Sequence, residues 1–596
     1  MPDASPVSAD APSLDVGPFA SASGLCSCPQ CAGAITAFDT DVATGQSYLN
    51  ADARAGASVN GKESYTIDRA GLQLTGFDPV TMAPAPGWGG IAGRAFTVTY
   101  AFRASEPFDM PSDTVGFQRF NAQQIYQAEQ AMQAWADVAN IRFLRVGIGS
   151  EGEGAYSNDA SILFGNYSSG ESGSAAFANF PGSTSSTSSA GDVWVNINAG
   201  TNSLPSMGNY GGQVLVHEIG HAIGLAHPGD YNAGDTDGPI SYSANAEYYE
   251  DSRQYTVMSY FSESNTGASY GGRYAAAPQL DDIRAAQIEY GANMSTRTGD
   301  TVYGFNSNAG RDWFVATNSS SRVIFAVWDA GGRDTFDFSG YSQNQTIELR
   351  EGFFSNVGGL TGNVAVAQGA KIENAVGGFG NDTINGNALD NDLDGGAGFD
   401  SIFAGAGADT IDGGAGTSYL RGEEGNDSIT GGTVFDDIQG NTGNDTERGG
   451  AGDDYVVGGK DSDSLFGDDG ADLVYGNIGS DTADGGAGND IVRGGQDNDS
   501  ITGGAGDDFM SGDKGSDTVA GGAGADIFHI SSDAGSDRVL DFSLAEGDRV
   551  HLDPGATFSV AQVGSDTVIT LASSSDQMIL VGVQMSSLTP GWIFGA

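Results

Sequence analysis

Apolar side chains follow two different periods in the first 200 residues. Residues 95–102 alternate between apolar and polar positions, as a half-buried β-strand does, and residues 191–197 are typical of a second strand. Residues 121–139 instead repeat with the period of a helix, which aligns one stripe of side chains: Ile125, Ala128, Met132, Trp135 and Ala139. These patterns predict a small mixed α/β domain.

A third period, of nine residues, governs residues 377–529. This segment divides into seventeen consecutive nonapeptides without an insertion, each close to Gly-Gly-x-Gly-x-Asp-x-apolar-x. Position eight is apolar in sixteen units; Glu447 is the exception, and Ala483 is a weak apolar residue. The period resembles the RTX (repeats-in-toxin) nonapeptide, in which glycine turns join short strands of a parallel β-helix. Position eight is therefore expected to fill a narrow core.

Position six of the repeat is aspartate in fifteen units, with Asn391 and Ser418 as the exceptions. Carboxylates that meet in successive turns are hard oxygen ligands of the kind that Ca²⁺ prefers. The predicted calcium ligands are Asp382, Asp400, Asp409, Asp427, Asp436, Asp445, Asp454, Asp463, Asp472, Asp481, Asp490, Asp499, Asp508, Asp517 and Asp526.

Charge explains why this segment needs cations. The seventeen units hold 31 acidic and five basic residues, a net charge of −26 that is about half of the chain's −53. Without Ca²⁺ the stacked units would repel each other, so we expect this region to be disordered until several structural Ca²⁺ ions bind. A flexible Gly/Asp-rich linker is the alternative, but it would not keep period nine over seventeen units.

The most specific chemical motif is the stretch from His217 to His227. His217 and His221 lie one helical turn apart, Gly224 lets the chain leave the helix, and His227 can return as a third ligand. Three histidines leave one position of a catalytic Zn²⁺ open to water, and Glu218 is placed to act as general base. A His-x-x-x-His pair alone occurs on many ordinary helices. Here, however, three of the chain's five histidines fall at the required spacing.

The segment 255–260 resembles the Met-turn of metzincin proteases, and Pro228 directly after His227 is similar to the serralysins within that clan. The resemblance extends from about residue 60 onward. It implies that Tyr260 ligates resting zinc and then stabilises the oxyanion, and that Met258 forms a hydrophobic base beneath the metal. From the residues alone, Met258 could equally be core packing and Tyr260 a buried aromatic.

The resemblance implies a multidomain chain, with an α/β (α+β) metzincin catalytic domain followed by an all-β parallel β-roll and a β-rich C-terminal cap. The expected divisions are 1–59, an N-terminal extension or propeptide; 60–300, the protease domain; 301–376, a β-rich connection that starts the roll; 377–529, the RTX repeat; and 530–596, the cap with a secretion signal.

The function expected from these features is that of a secreted zinc-dependent endopeptidase. It would hydrolyse peptide bonds of protein and peptide substrates by attack of a zinc-bound water that Glu218 activates. The rival hypothesis is a calcium-dependent surface or adhesion RTX protein with a vestigial protease domain. A pore-forming toxin is a third, which no long apolar or amphipathic segment supports.

The composition of the chain limits which partners and which cellular location are expected. The acidity argues against nucleic acid, and no stretch of about 18 apolar residues could span a membrane. Residues 1–22 show neither a basic start nor an apolar run, so the resemblance instead implies type I secretion machinery that reads residues 530–596. The chain departs from the family in lacking the usual terminal tetrapeptide. The alternative to release from the cell is retention at the producer's cell surface.

Two further interpretations concern single segments. If residues 191–197 form the sheet edge along the cleft, an extended substrate could add to them through backbone hydrogen bonds; otherwise Trp194 simply packs in the core.

Cys26, Cys28 and Cys31 could supply a thiolate that blocks zinc in a zymogen, belong to a leader lost by self-cleavage, or form a local disulfide.

Overall fold

A computed structural model describes residues 48–595, except 57, 78–80, 86, 112–113, 171–174, 186 and 232–239. The predictions on Cys26, Cys28 and Cys31 therefore lie outside the described residues. Within them, a mixed α/β body is followed by a long β-solenoid, which confirms the predicted fold class.

The α/β body contains five helices and seven strands among the described residues. In chain order they are β1 (Ser58–Val59), β2 (Lys62–Glu63), α1 (Ile67–Leu74), β3 (Phe96–Phe102), α2 (Ala122–Val138), β4 (Ile141–Arg145), β5 (Ile162–Tyr167), β6 (Ala176–Ala178), β7 (Val193–Asn196), α3 (Tyr210–Ala222), α4 (Tyr242–Asn245) and α5 (Leu280–Tyr290). The strand predicted at 95–102 and the helix predicted at 121–139 are thus confirmed as β3 and α2.

Helix α2 begins where its sequence predicts. Asn121 accepts a hydrogen bond from the Gln124 backbone N–H, and the Gln124 side chain accepts one from Asn121 N–H in return. This reciprocal capping satisfies two donors that the first turn would leave unpaired. The buried stripe of α2 then packs on α3, where the Trp135 indole N–H donates to Val216 O at 3.0 Å.

The body's main sheet runs in the order β4-β3-β5-β7-β6, with β6 antiparallel to its neighbour. The strand predicted at 191–197 exists as β7, but it is an interior strand. The prediction that it forms the sheet edge is therefore wrong, because residues 176–178 add one more strand outside it. Trp194 on β7 is buried, as the alternative interpretation expected.

The solenoid consists mainly of two sheets that face each other. The fifteen-stranded sheet contains β8 (Val302–Gly304), β10 (Thr335–Asp337), β14 (Asn374–Gly378), β16 (Asp392–Gly396), β18 (Thr410–Asp412), β20 (Ser428–Gly432), β22 (Thr446–Ala451), β24 (Ser464–Asp469), β26 (Thr482–Ala487), β28 (Ser500–Ala505), β30 (Thr518–Ala523), β32 (Ser536–Val539), β34 (Phe558–Val563), β35 (Asp566–Leu571) and β36 (Gln577–Leu580).

The twelve-stranded sheet contains β11 (Thr346–Glu348), β15 (Thr383–Asn387), β17 (Asp400–Ala406), β19 (Ser418–Glu424), β21 (Asp437–Thr442), β23 (Tyr455–Lys460), β25 (Leu473–Ile478), β27 (Ile491–Gln496), β29 (Phe509–Lys514), β31 (Ile527–Ile530), β33 (Arg549–Leu552) and β37 (Ile593–Phe594). A three-stranded sheet of β9 (Phe325–Val327), β12 (Phe354–Ser355) and β13 (Val364–Val366) lies near its start.

Each solenoid turn consumes two nonapeptides. Within a sheet, parallel neighbours pair with an offset of 18 residues, as in Ile384 with Ile402 and Ile402 with Leu420. These position-eight side chains are fully buried between the sheets. The offset changes where the partner residue lies after the end of the repeat. Asp517 N–H donates to Asp537, 20 residues later, and Asp526 N–H donates to Asp548, 22 residues later. Consecutive nonapeptides therefore alternate between the two sheets.

Residues 48–56 join the α/β body to the solenoid. The Arg54 guanidinium forms two hydrogen bonds to Asp281 on α5, at 2.8 and 2.9 Å, and both side chains are buried. Asn50 Oδ1 accepts the Phe354 backbone N–H at 3.1 Å, and Tyr48 OH donates to Asn356 at 2.9 Å. The start of the described chain is thus part of the packed structure. The five domain boundaries stay predictions.

Candidate metal centre

Helix α3 carries the first two histidines of the motif and ends directly after them. The helix stops at Ala222, Gly224 adopts φ +116°, and Leu225 N–H bonds back to Gly220 O at 2.9 Å. A positive φ suits glycine because it lacks a Cβ, so the chain turns here and brings His227 back toward α3.

The three imidazoles converge through their Nε2 atoms. The Nε2–Nε2 distances are 3.1 Å for His217–His221, 3.1 Å for His221–His227 and 3.2 Å for His217–His227. His217 Nδ1–H donates to Val257 O at 2.8 Å, and His221 Nδ1–H donates to Leu225 O at 2.6 Å. Because a carbonyl only accepts, the Nε2 atoms of these two histidines are left with lone pairs that point at each other.

Lone pairs that face each other at about 3 Å repel, and a cation between them would remove this repulsion. Burial lowers the pKa of His217 to about 4 and that of His221 well below its usual value, which keeps both rings neutral. Tetrahedral Zn²⁺ with Zn–N bonds of 2.0–2.1 Å separates its nitrogens by about 3.3 Å. The spacing, the neutral imidazoles and the carbonyls behind them all fit such an ion.

Glu218 follows His217 on α3 and is 5% exposed. Its Oε2 accepts no hydrogen bond from the described residues. Burial raises the pKa of Glu218 to about 8. A buried carboxylate of this kind, beside a metal position, is suited to take up and return a proton near neutral pH.

Met258 packs against α3, and its role as a hydrophobic base beneath the metal stays a prediction. The side chain is fully buried, and its Sδ lies 2.5 Å from the point where a Cβ on Gly220 would stand. Gly220 therefore gives the sulfur room between the turns that carry His217 and His221. Asp282 on α5 fixes this segment, since it accepts Val257 N–H at 2.7 Å and the Thr256 hydroxyl at 2.5 Å.

Two tyrosines border the histidines on the side of His227. The Tyr260 ring is 4.5 Å from the His227 ring and 5.8 Å from that of His217, and the residue is 39% exposed. Tyr231 is buried and stacks on His227 at 5.4 Å, and its hydroxyl donates to Asp251 at 2.8 Å. Tyr260 is thus the more exposed of the two, and Tyr231 orients the third histidine.

Sequence reasoning missed Asp282, Tyr231 and Gly220. Tyr231 and Asp282 both lie in the stretches that resemble serralysins, and Gly220 lies in the histidine motif itself. No local period marks any of the three, because their role depends on contacts with distant parts of the chain.

The predicted calcium positions form two rows of carboxylates in the turns of the roll. All fifteen aspartates are buried, and in fourteen of them Oδ2 is buried without a hydrogen-bond partner among the described residues; in Asp382 it accepts Gly378 N–H. Along the repeat, Oδ1 accepts the backbone N–H of the residue 18 positions earlier, as in Asp427 to Asp445 at 2.8 Å. The unpaired oxygens are therefore available to cations.

Convergent imidazoles next to a buried carboxylate, in a body of helices packed against a mixed sheet, are the arrangement that metallopeptidases have. Residues 118–269 match the family described as "Metallo-peptidase family M12", and residues 292–559 match "Peptidase M10 serralysin C terminal". Metalloprotease AprA of Pseudomonas entomophila (strain L48) is 49% identical over 348 residues, which are 57% of this chain and 68% of that protein. The chain belongs to the serralysin family, as the sequence motifs predicted.

A second serralysin also matches the chain. Serralysin C of Dickeya chrysanthemi is 50% identical over 331 residues, which are 55% of this chain and 66% of that protein, just under two thirds of its length. A solved structure, extracellular lipase LipA from Serratia marcescens, is 19% identical, with 37% of this chain and 40% of that chain covered and a TM-score of 0.18. Among the described residues no helix is long and apolar enough to cross a membrane.

Proposed function

We propose that this protein is a secreted zinc endopeptidase whose acidic roll folds around calcium. The observation that carries the proposal is the convergence of His217, His221 and His227 on one point, within 3.2 Å of each other, beside the buried Glu218. Three neutral imidazoles whose lone pairs face each other are unfavourable without a metal ion, so we do not expect this arrangement in a degenerate protease domain.

The three histidines would hold one Zn²⁺. When bound there, zinc lowers the pKa of water toward 7 and polarises a peptide carbonyl. Glu218 takes the proton of the attacking water and later passes it to the leaving amine. Tyr260, beside His227 and partly exposed, donates its hydroxyl proton as a hydrogen bond to the developing oxyanion. Met258 keeps the floor of the site apolar.

The shape of the sheet supports an extended polypeptide as substrate. Strand β6 is the antiparallel edge strand of the body and packs near α3. An exposed edge strand can pair with an extended peptide through backbone hydrogen bonds, which are independent of side chains. Next to it, Phe180 is 53% exposed and its ring lies 5.7 Å from that of His221. We therefore expect broad cleavage of internal bonds.

Glu218→Gln tests the mechanism. The variant keeps the shape of the side chain and all three imidazoles, so it should still bind one zinc per chain by elemental analysis. Its casein hydrolysis should fall by about 10²–10⁴. Glu289→Gln is the control, because Glu289 is also a buried glutamate but lies on α5, where it accepts Gly87 N–H. Equal activity of E218Q and wild type would exclude this mechanism; an inactive wild type that binds zinc would favour the adhesion protein.

The unpaired Oδ2 atoms support a calcium role for the roll. Burial raises the pKa of most of these aspartates, to about 7 for Asp454 and about 8 for Asp499, so ionised they are unfavourable without cations. Binding of Ca²⁺ and folding of the roll are therefore coupled. In a calcium titration at pH 8 followed by circular dichroism, the β signal should appear as calcium binds; an unchanged spectrum on adding EDTA at this pH would refute the coupling.

Secretion follows from the same chemistry. A roll that folds only with calcium stays unfolded at low cytosolic calcium and can pass through type I secretion machinery as an extended chain. Deletion of residues 530–596 should trap the protein inside the producing cell, whereas normal secretion of the truncated chain would refute the assignment. Fractionation of washed cells would show whether the wild type stays at the surface.

A further inference from the structure

Glu447 is the one charged residue at position eight of the repeat, and it points into the core of the roll. In the fifteen-stranded sheet it pairs with Ile429 on one side and Leu465 on the other, both of which are buried apolar residues. Glu447 itself is 0% exposed. An ionised carboxylate in an apolar core is strongly unfavourable unless something compensates its charge.

The protein compensates this charge only weakly. Among the described residues, the Gly440 backbone N–H and the Arg421 guanidinium favour the ionised form of Glu447, yet neither carboxylate oxygen accepts a hydrogen bond of regular geometry. The Arg421 guanidinium donates its hydrogen bonds to Leu420 O, Asp437 O and the Asp437 carboxylate. Burial therefore outweighs these two groups and raises the pKa of Glu447 well above its usual value.

The carboxylate instead shares a space with position-six aspartates. Glu447 Oε1 and Asp445 Oδ2 both lie too close to the Cα of Gly440 to leave room for a Cβ there, so the two oxygens border one small space that only glycine leaves open. Asp463, one solenoid turn further on, accepts the Asp445 backbone N–H at 2.9 Å and has its own Oδ2 buried without a partner. Three buried carboxylates thus lie close enough to act on each other's charge: both aspartates disfavour the ionised form of Glu447.

We propose that Glu447 is a ligand of a calcium ion that Asp445 and Asp463 also bind, at a site that reaches from the turn into the core of the roll. The proposal rests on the proposed calcium role of the roll and goes beyond it, because elsewhere in the repeat position eight supplies an apolar side chain. Ca²⁺ accepts six to eight oxygen ligands in flexible geometry, and a site with more carboxylates binds it more tightly. We therefore expect this turn to hold calcium more tightly than a turn with two aspartates.

The alternative to a calcium ion is a proton, because a protonated and therefore neutral Glu447 could also be buried. Two substitutions distinguish bound calcium from a bound proton. Glu447→Gln mimics the protonated side chain in shape and charge, and Glu447→Leu restores the repeat consensus. Glu424→Gln is the matched control, because it removes one acidic charge from an exposed position of the neighbouring sheet. All variants would be made in the full-length chain carrying E218Q, which prevents self-cleavage.

Two quantities would be measured for each protein: the number of bound Ca²⁺ ions by equilibrium dialysis, and the calcium concentration at the midpoint of folding by circular dichroism. E447Q and E447L should each lose one ion, or bind it roughly tenfold more weakly, and fold at a higher calcium concentration, while E424Q keeps the parent's stoichiometry. If E447L binds as many Ca²⁺ ions as the parent chain and folds at the same or a lower calcium concentration, the proposal for Glu447 is overturned, whereas the calcium role of the roll is not. Absence of calcium binding in the parent chain would overturn the calcium role of the roll as well.

Discussion

Replacing Arg54 by alanine should destabilise the α/β body by about 3–5 kcal/mol, because it removes one partner of a buried ion pair. The guanidinium makes two hydrogen bonds to Asp281, at 2.8 and 2.9 Å, and a third to Tyr65 O at 2.7 Å. The side chains of Arg54 and Asp281 are 1% and 0% exposed. In R54A the Asp281 carboxylate would remain buried without its counterion.

The chain offers a matched control. Arg69 pairs with Glu63 at 2.6 Å, but these side chains are 46% and 63% exposed. Exposed pairs of this kind contribute about 0–1 kcal/mol, so R69A should change the free energy of unfolding by no more than that. Both variants would be unfolded in urea with zinc and saturating calcium, in the E218Q background, with near-ultraviolet circular dichroism as the signal.

The comparison also tests how the site is supported. Asp281 precedes Asp282, which holds the Val257 backbone, and Val257 O orients His217. We therefore expect R54A, in a chain with Glu218 intact, to lose zinc at lower chelator concentration than R69A. If both variants lose the same free energy of unfolding, and this loss is below about 1 kcal/mol, then residues 48–56 contribute little to the fold and this reasoning is refuted.

Three further outcomes are expected. Gly220→Ala should cost about 1–3 kcal/mol and weaken zinc binding, because the new methyl group meets Met258 Sδ; unchanged thermal stability would contradict this packing. Tyr260→Phe should lower kcat by about 10² with KM and zinc content little changed, and an unchanged kcat would remove the oxyanion role. In EDTA, the β signal of the roll should grow as the pH falls from 8 to 5. Burial raises the pKa of Asp481 from 3.8 to about 6 and that of Asp499 to about 8, so the folded roll binds more protons than the unfolded chain. The folded roll therefore loses stability as the pH rises through this range. A spectrum independent of pH would contradict this linkage.

Local periodicity was enough to predict the elements that carry the chemistry. The spacing of His217 and His221 places both on one helical face whatever surrounds the helix, and Gly224 marks the end of that helix. The nonapeptide likewise determines which side chains point inward, because a strand alternates its faces along the chain. The calcium assignments follow from the same alternation and stay predictions.

The order of strands in the sheet could not be predicted in this way. The interpretation of residues 191–197 as the edge was wrong because β6, a strand of three residues that is too short to show an alternating pattern, adds outside them. Arg54 was assigned to an extension, yet its partner Asp281 is 227 residues away. Pairings over such distances depend on how the elements pack, which no local pattern records.

The sequence by itself determined the residue types and their spacing: three histidines and a glutamate in one motif, and an aspartate and an apolar residue in nearly every nonapeptide. Only the tertiary structure decided which lone pairs meet, which strand lies at the edge, and that Glu447 faces Asp445 inside the core. The physical reason is that helical and strand periods arise from backbone geometry within a few residues, whereas burial and the pairing of charges arise from packing between segments far apart in the chain.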